Sequence, residues 1–145
     1  MRLGRGNSTD RVEISDPNSN FPCGGLLTIG DNGDGFFTVD FGAAAEAGRV
    51  VMAARHSSGN ASFLNVTHND EGQFSTFTCD TLDIGVKGKA AVSIRGGGIL
   101  DTDSVRMGIG HGSDGIIQLS GSATGLTSYR SPLNAPANSS APARA

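Results

Sequence analysis

The sequence has little of what builds membrane spans, disulfide frameworks or nucleic-acid surfaces. It has no tryptophan, five prolines and two cysteines among 145 residues, and no apolar run approaches the ~20 residues of a membrane-spanning helix. The net charge is −3, whereas a protein that binds nucleic acid carries a basic surface. We therefore expect no membrane partner and no nucleic-acid partner.

Glycine is the residue in excess, at 22 of 145, about twice its usual share of ~7%. A glycine costs ~1 kcal/mol in a helix interior relative to alanine, but it suits turns that need a positive φ. Short apolar alternations recur roughly every 8–13 residues, for example at residues 37–41, 74–78, 82–84 and 92–94. This composition predicts a single all-β domain of short strands and tight turns.

Two stretches of the chain repeat each other at a fixed spacing, which we call the long repeat. Residues 27–30 (Leu-Thr-Ile-Gly) return as residues 82–85 (Leu-Asp-Ile-Gly), and residues 50–52 return as residues 105–107. A long fixed period indicates supersecondary units that stack on each other. Together with the strand spacing, it predicts a short right-handed β-solenoid (β-helix) of two ~55-residue units over residues 23–128.

The ends of the chain lie outside this repeat and are predicted to form extended arms. Residues 1–22 read as a polar N-terminal arm, in which the alternation at residues 12–14 favours an edge strand. Residues 129–145 are rich in Pro, Ala and Ser and read as an extended C-terminal tail. We interpret five residues of these arms as a partner interface: Arg2, Arg5, Arg11, Tyr129 and Arg130.

One glycine-rich corner has the residue types of a small calcium loop. Residues 30–35 read Gly-Asp-Asn-Gly-Asp-Gly, and hard cations prefer clustered oxygen ligands. The equivalent corner, residues 85–90, keeps glycine at the two shared positions but carries Lys87 and Lys89, which repel a cation. We therefore interpret both corners as turns that need a positive φ, and we expect no metal.

The cysteines and two of the histidines also recur near the period of the long repeat. Cys23 and Cys79 are separated by almost one period, so we expect them in equivalent places two coils, or roughly 10 Å, apart. A disulfide needs Cα atoms within ~7 Å, so the sequence predicts two free, mostly buried thiols. His56 and His111 would be equally far apart, too far to share a metal ion, and His68 adds no metal-binding spacing.

Four acidic residues, Asp80, Asp83, Asp101 and Asp103, have the residue types of a polysaccharide-cleaving β-helix enzyme, in which carboxylates pair at ~5–10 Å. Asp83 replaces Thr28 of the first unit, however, so the repeat does not preserve the charge. We interpret all four as solvated strand or corner residues. No serine-nucleophile elbow or phosphate-binding glycine loop is evident either, and we expect no enzymatic activity and no cofactor.

The phenylalanines are expected to stack inside the solenoid, where inward aromatic side chains of successive coils bury a large apolar area. The residues expected in this core are Phe36, Phe37, Phe41, Phe63, Phe74 and Phe77.

A longer pattern joins these elements over about residues 24–122. It reads Leu-x-Ile-Gly, a further Gly, an alternating strand, a glycine-rich corner, Val-x-Met, and Gly-x-(apolar)-x-Leu-Ser-Gly. This pattern resembles the repeats of bacterial autotransporter passenger domains, which are right-handed β-helices. The resemblance implies a β-helix fold and, as one possible function, an adhesin. The chain departs from that family in having only two units.

The sequence favours a structural protein of a virion, a tailed-phage capsid decoration (cement) protein assembled in the host cytoplasm. A short solenoid exposes its terminal coils, which must be capped or assembled, and a homo-trimer is one closed arrangement. In this hypothesis the partner is the major capsid protein, and the arms clamp neighbouring capsid subunits. Two alternatives stay open: an extracellular adhesin or carbohydrate-binding module, and a tail-spike-like polysaccharide-binding protein.

Overall fold

The computed structural model describes residues 1–55, 61–67, 73–121 and 125–128, which contain eleven β-strands. No helix in these residues is capable of spanning a membrane. The strands are β1 (Arg2–Leu3), β2 (Thr9–Ser15), β3 (Asn20–Ile29), β4 (Asp34–Asp40), β5 (Ala44–Met52), β6 (Ala61–Val66), β7 (Thr76–Ile84), β8 (Lys89–Arg95), β9 (Ile99–Met107), β10 (Asp114–Ser120) and β11 (Gly125–Ser128).

The strands form two parallel sheets. The first sheet has the odd-numbered strands in the order β1-β3-β5-β7-β9-β11, and the second has the even-numbered strands in the order β2-β4-β6-β8-β10. Each strand pairs with the strand two places further along the chain, so every turn of the coil visits both sheets once. The structure thus confirms the predicted all-β fold as a β-solenoid of about five turns. Its right hand stays a prediction.

The long repeat corresponds to two coils of unequal length. In the first sheet a short coil separates Thr28 from its partner Val51, and a longer coil separates Val51 from its partner Asp83. Asp83 then pairs with Arg106 after a second short coil. The self-similar unit is therefore a pair of coils, and the nearest neighbour of a residue lies one coil, not one repeat, away.

The long strands of the first sheet each contain a corner. In β5 the inward side chains are Ala45 and Ala47 before Gly48, and Val50 and Met52 after it, so the alternation changes phase at the glycine. The equivalent positions of β7 and β9 are interrupted in the same way. We call the strand halves before and after this corner the first and second segments. The sequence predicted residues 74–78 and 82–84 as separate strands, whereas the structure joins them in β7 across this corner.

The core consists of columns of inward side chains from successive coils. Phe37 anchors it, with its ring edge-to-face against Phe21 and Phe77 at centroid distances of 5.5 and 5.7 Å. Full burial of such a side chain contributes about 1.5–3 kcal/mol to the stability of the fold. The other large members, all fully buried, are Leu27, Ile29, Val50, Met52, Leu82, Ile84 and Leu100 in the first sheet and Val39, Leu64, Val66, Val92 and Ile94 in the second.

The expectation that six phenylalanines lie in the core is wrong for four of them. Phe36 and Phe63 lie on the outer face of the second sheet, because each precedes an inward residue in its strand. Phe41 and Phe74 lie outside the strands and are about half exposed. Strand alternation, not aromatic character, thus decides which ring enters the core.

Residues 1–22, predicted as an arm, form the first coil of the solenoid. Strand β2 pairs with β4 over its whole length, and β1 pairs with β3. Leu3 is 5% exposed, and Val12 and Ile14 pack against the core. Strand pairing satisfies the backbone groups of this segment, which explains how a polar sequence joins the sheet. The predicted tail, residues 129–145, lies outside the described residues.

The shared glycines of the corners have two different roles. Gly30 and Gly85 have φ of +74° and +67°, which confirms the predicted positive-φ turn. A Cβ at Gly85 would lie 2.2 Å from the carbonyl oxygen of Asp114. Gly33 does not have a positive φ, but a Cβ there would lie 2.3 Å from the carbonyl oxygen of Ser8. Backbone contact between coils, and not only turn geometry, therefore requires glycine at these corners.

We expect Gly85→Ala to lower the free energy of unfolding by at least ~1–2 kcal/mol, because it combines a left-handed backbone with a backbone clash. Gly24→Ala is the matched control, since its φ is ordinary and nothing lies within 4 Å of the added Cβ. Urea unfolding of both variants measures the difference. Equal stability of the two variants would contradict this account of the corner.

The two cysteines lie in one column with a coil between them, which confirms the predicted free thiols. Cys23 pairs with Ala47, and Ala47 pairs with Cys79. Their spacing exceeds the period of the long repeat by one because β3 has an extra residue here: Cys23 and Leu26 face Ala47 and Arg49 of β5 across a β-bulge. Cys79 is buried, and Cys23 is half-buried.

We expect a thiol reagent at pH 8 to label one cysteine of the native protein rapidly and the second only after denaturation. Burial, reinforced by the nearby carboxylates of Asp80, Asp103 and Asp101, raises the pKa of the Cys79 thiol to about 11, so the reactive thiolate is scarce. Cys23→Ser should remove the fast phase. Rapid labelling of both thiols would contradict the burial of Cys79. Labelling of neither would contradict an accessible, free thiol at Cys23.

Candidate functional site: arginine–carboxylate clusters and the outer faces

Asp83 is a buried carboxylate held between two arginines from the adjacent coils. The side chain of Asp83 in β7 is fully buried, while the side chains of Arg49 in β5 and Arg106 in β9 are about half exposed. Arg49 donates from Nη2 and Nε to Asp83 Oδ2 at 2.6 and 3.1 Å. Arg106 donates from Nε to Oδ1 at 2.6 Å and from Nη2 to Oδ2 at 2.8 Å. The carboxylate is thus fully paired, with both partners reaching it from the solvent side.

The arginines keep Asp83 ionised. Burial by itself raises the pKa of this carboxyl, but the hydrogen bonds and charges of Arg106 and Arg49 outweigh it and lower the pKa below its ordinary value. The same contact raises the pKa of Arg106. A carboxylate held in this state is unsuited to donate a proton, so the cluster is suited to holding structure and presenting positive charge.

The interpretation of Asp83 as a solvated residue is therefore wrong. The long repeat aligns Asp83 with Thr28, which made its charge look incidental. The neighbours that matter are one coil away, where Arg49 and Arg106 lie, and the period of the long repeat does not reveal where one coil ends and the next begins. The alternation of short and long coils was the missing signal.

A second cluster of the same composition lies at the preceding corner. Asp31 is buried, with its Oδ1 3.3 Å from Arg55 Nε and its Oδ2 3.7 Å from Arg2 Nη1. The corner that resembles a calcium loop thus pairs its acid with arginines from neighbouring coils. Among the residues described, no group of three or more His, Cys, Asp or Glu is placed to hold a metal ion.

The two segments of the first sheet differ in charge. The two clusters lie on the side of the second segments and contain four arginines, each at least about half exposed, and two buried acids. Their combined charge is +2, whereas the net charge of the chain is −3. Exposed acids line the first segment and the corner: Glu46, Asp80, Asp101 and Asp103. The surface therefore offers separate patches of opposite sign.

The predicted interface residues are not brought together. Arg2 pairs with Asp31 on the first sheet, whereas Arg11 lies on the second sheet with its guanidinium carbon 5.3 Å from the ring centroid of Phe36. Arg5 is exposed in the turn between β1 and β2. Tyr129 and Arg130 lie outside the described residues, as do His56 and His68, while His111 is exposed.

The outer face of the second sheet carries an apolar row that the sequence analysis missed. The row runs across the strands in register: Arg11, Phe36, Phe63, Ala91 and Ile116. The rings of Phe36 and Phe63 stack with centroids 5.2 Å apart and planes 10° from parallel. Only the strand register, which the sequence does not specify, reveals that these residues are neighbours.

No protein-family model matches this chain, and no curated protein or solved structure matches it either. The structure confirms the β-solenoid that the resemblance to autotransporter passenger repeats implies. A relationship to that family stays a prediction.

We expect Asp83→Asn to lower the free energy of unfolding at pH 7 by about 1–3 kcal/mol, because two arginines lose a charged hydrogen-bond partner. A depressed folded-state pKa gives stability that is present above the unfolded pKa of ~3.9 and is lost as the pH falls through the folded pKa. The wild type should therefore lose stability below about pH 4 more steeply than the variant.

Urea unfolding at pH 7, 5, 4 and 3 measures both effects, with the exposed Asp101→Asn as the charge-matched control. The control should follow the wild type at every pH. If the free energies of unfolding of Asp83→Asn and the wild type changed in parallel with pH, the pKa of Asp83 would not be lowered in the folded state.

Proposed function

We propose that this protein is a structural component of a larger assembly, a decoration (cement) protein that binds and stabilises a phage capsid shell. The observation that supports the proposal is the open last coil of the solenoid. Met107 and Leu119 occupy core positions, in register with the buried Ile84 and Ile94, yet they are 47% and 49% exposed. In the part of the chain that the structure describes, two core columns thus end in half-exposed side chains.

The opposite end of the same columns is better covered. Leu3, at the other end of the Met107 column, is only 5% exposed, and Ile14, at the other end of the Leu119 column, is half-buried. Among the described strands, β10 and β11 are the last members of their sheets at the open end. Unpaired strand edges with apolar side chains favour association with another chain, so this end of the solenoid is suited to bind a partner.

Other features fit a structural role. The buried carboxylates Asp31 and Asp83 are paired with arginines, and the other described acids in the strands of the first sheet are exposed. Arg2 and Arg11 have partners within the solenoid. In this proposal the open last coil therefore provides the main contact with the major capsid protein, three copies surround a three-fold axis, and the protein resides on the virion surface.

The test mixes the protein with undecorated capsids assembled from the major capsid protein of the same genome. We expect saturable binding and a higher capsid melting temperature, and at least a tenfold loss of affinity in the double variant Met107→Ser/Leu119→Ser. Leu26→Ser, at an exposed apolar residue of the second segment, is the matched control and should bind normally.

Circular dichroism verifies that the variants fold, and native mass spectrometry measures whether the free protein is a trimer. Absence of saturable binding together with an unchanged capsid melting temperature would refute the decoration role. Normal binding by the double variant would show that the open last coil does not contact the capsid.

A further inference from the structure

The row of side chains on the outer face of the second sheet contains a gap. Arg11 covers one side of the Phe36 ring, and the other side stacks on Phe63. The next position in the row is Ala91, which has only a methyl group, and the position after that is the half-exposed Ile116. One face of the Phe63 ring therefore borders an opening one coil wide.

This opening is a cavity of about 200 Å³. Phe63 and Ile116 form its two walls, and Ala61 and Ala91 contribute to its floor. The walls come from strands two coils apart, roughly 9–10 Å. That distance leaves room for one ring in contact at ~3.5–4 Å with each wall. Since ordinary ligand sites are ~300–1,000 Å³, the slot suits a single ring rather than a larger molecule.

Polar side chains border the slot along one edge, and two more lie beyond its opposite side. Lys89 and Asp114 are neighbours in register along one edge, and both line the cavity. Among the described residues, neither side chain takes part in a hydrogen bond or ion pair. Asn65 and Gln118 lie two residues further along the same strands as Phe63 and Ile116, beyond the residues that line the cavity. The slot thus has apolar walls and one edge that offers a hydrogen-bond donor and an acceptor.

We propose that this slot binds one pyranose ring, so that the protein recognises a glycan through the outer face of its second sheet. A pyranose has apolar C–H faces and a rim of hydroxyl groups, which match the walls and the polar edge respectively. Lys89 donates to a ring hydroxyl, Asp114 accepts from one, and the face of Phe63 packs against the C–H groups. A plain aromatic ring fits the walls but gains no hydrogen bond from Lys89 or Asp114, whereas a pyranose gains hydrogen bonds from both.

The site is distinct from the open last coil, and the proposal does not rest on capsid binding. The wall residue Ile116 belongs to β10, but its side chain lies on the outer face, whereas Met107 and Leu119 end the core columns. A decoration protein with this site would display a glycan-binding surface away from its docking end.

The test follows the Ala61 and Ala91 methyl resonances of the full-length protein by NMR during titration with four methyl pyranosides: glucoside, galactoside, mannoside and N-acetylglucosaminide. The expected result is a saturable shift of both methyls with at least one pyranoside, at millimolar affinity. Phenol and p-cresol form the aromatic arm. Absence of a saturable shift with every pyranoside, or stronger binding of p-cresol, would overturn the proposal.

Two variants separate loss of the site from loss of the fold. Ala91→Phe places a third ring in the row, so it should abolish the pyranoside shift of Ala61 while the melting temperature stays the same or rises. Phe63→Ala should weaken binding at least tenfold, and the exposed Leu26→Ser, on the other sheet, should leave it unchanged. Wild-type affinity in Ala91→Phe would show that the ligand does not enter the slot.

Discussion

In-register stacking of parallel coils is the constraint on which the rest of this structure depends. Each backbone layer lies ~4.8 Å from the next, so every side chain meets its counterparts in the coils before and after it. Which side chain fits at a position therefore depends on the side chains at the same position of the neighbouring coils, and not only on the turn to which the residue belongs. Apolar columns close the core, and backbone contact between coils requires glycine at corners such as Gly33 and Gly85.

The same constraint explains the arginine–carboxylate clusters. Parallel stacking brings side chains of adjacent coils close together, either in register, as for Asp83 and Arg106, or diagonally, as for Asp83 and Arg49, so a buried acid can be paired with cations from both neighbouring coils. Asp83 lies between Arg49 and Arg106, and Asp31 lies between Arg2 and Arg55, so each acid meets a cation on both sides. Because the arginine stems are long, their guanidiniums reach water while covering the acid. The carboxylate loses its hydration but keeps its hydrogen bonds, and the exposed partner avoids most of the desolvation penalty of a buried ion pair.

Much of the architecture was predictable because stacking has a sequence signature. The strands of the repeat, the positive φ at Gly30 and Gly85, and the separation of Cys23 from Cys79 all follow from the period of the long repeat. The contacts of Asp83 do not, because they depend on how that period divides into a short coil and a long one. That division depends on turn lengths, and a turn that changes by one residue reassigns every cross-coil neighbour. The candidate sites, which are cross-coil arrangements, were for this reason less predictable than the fold.

The position of Ala91 shows where the stacking constraint leaves freedom. In the core, the inward Ala45 lies between Phe21 and Phe77, and Phe37 of the other sheet packs against both rings. Ala91 instead points outward, between Phe63 and Ile116, so its small side chain leaves an opening on the surface. A third aromatic residue there would extend the stack of Phe36 and Phe63 and gain about 0.5–1.5 kcal/mol beyond its buried area. This third ring is absent at Ala91, where Lys89 and Asp114 flank the opening. In the proposed site, this combination of a missing ring and a polar edge serves the binding of a ligand ring with apolar faces and a polar rim.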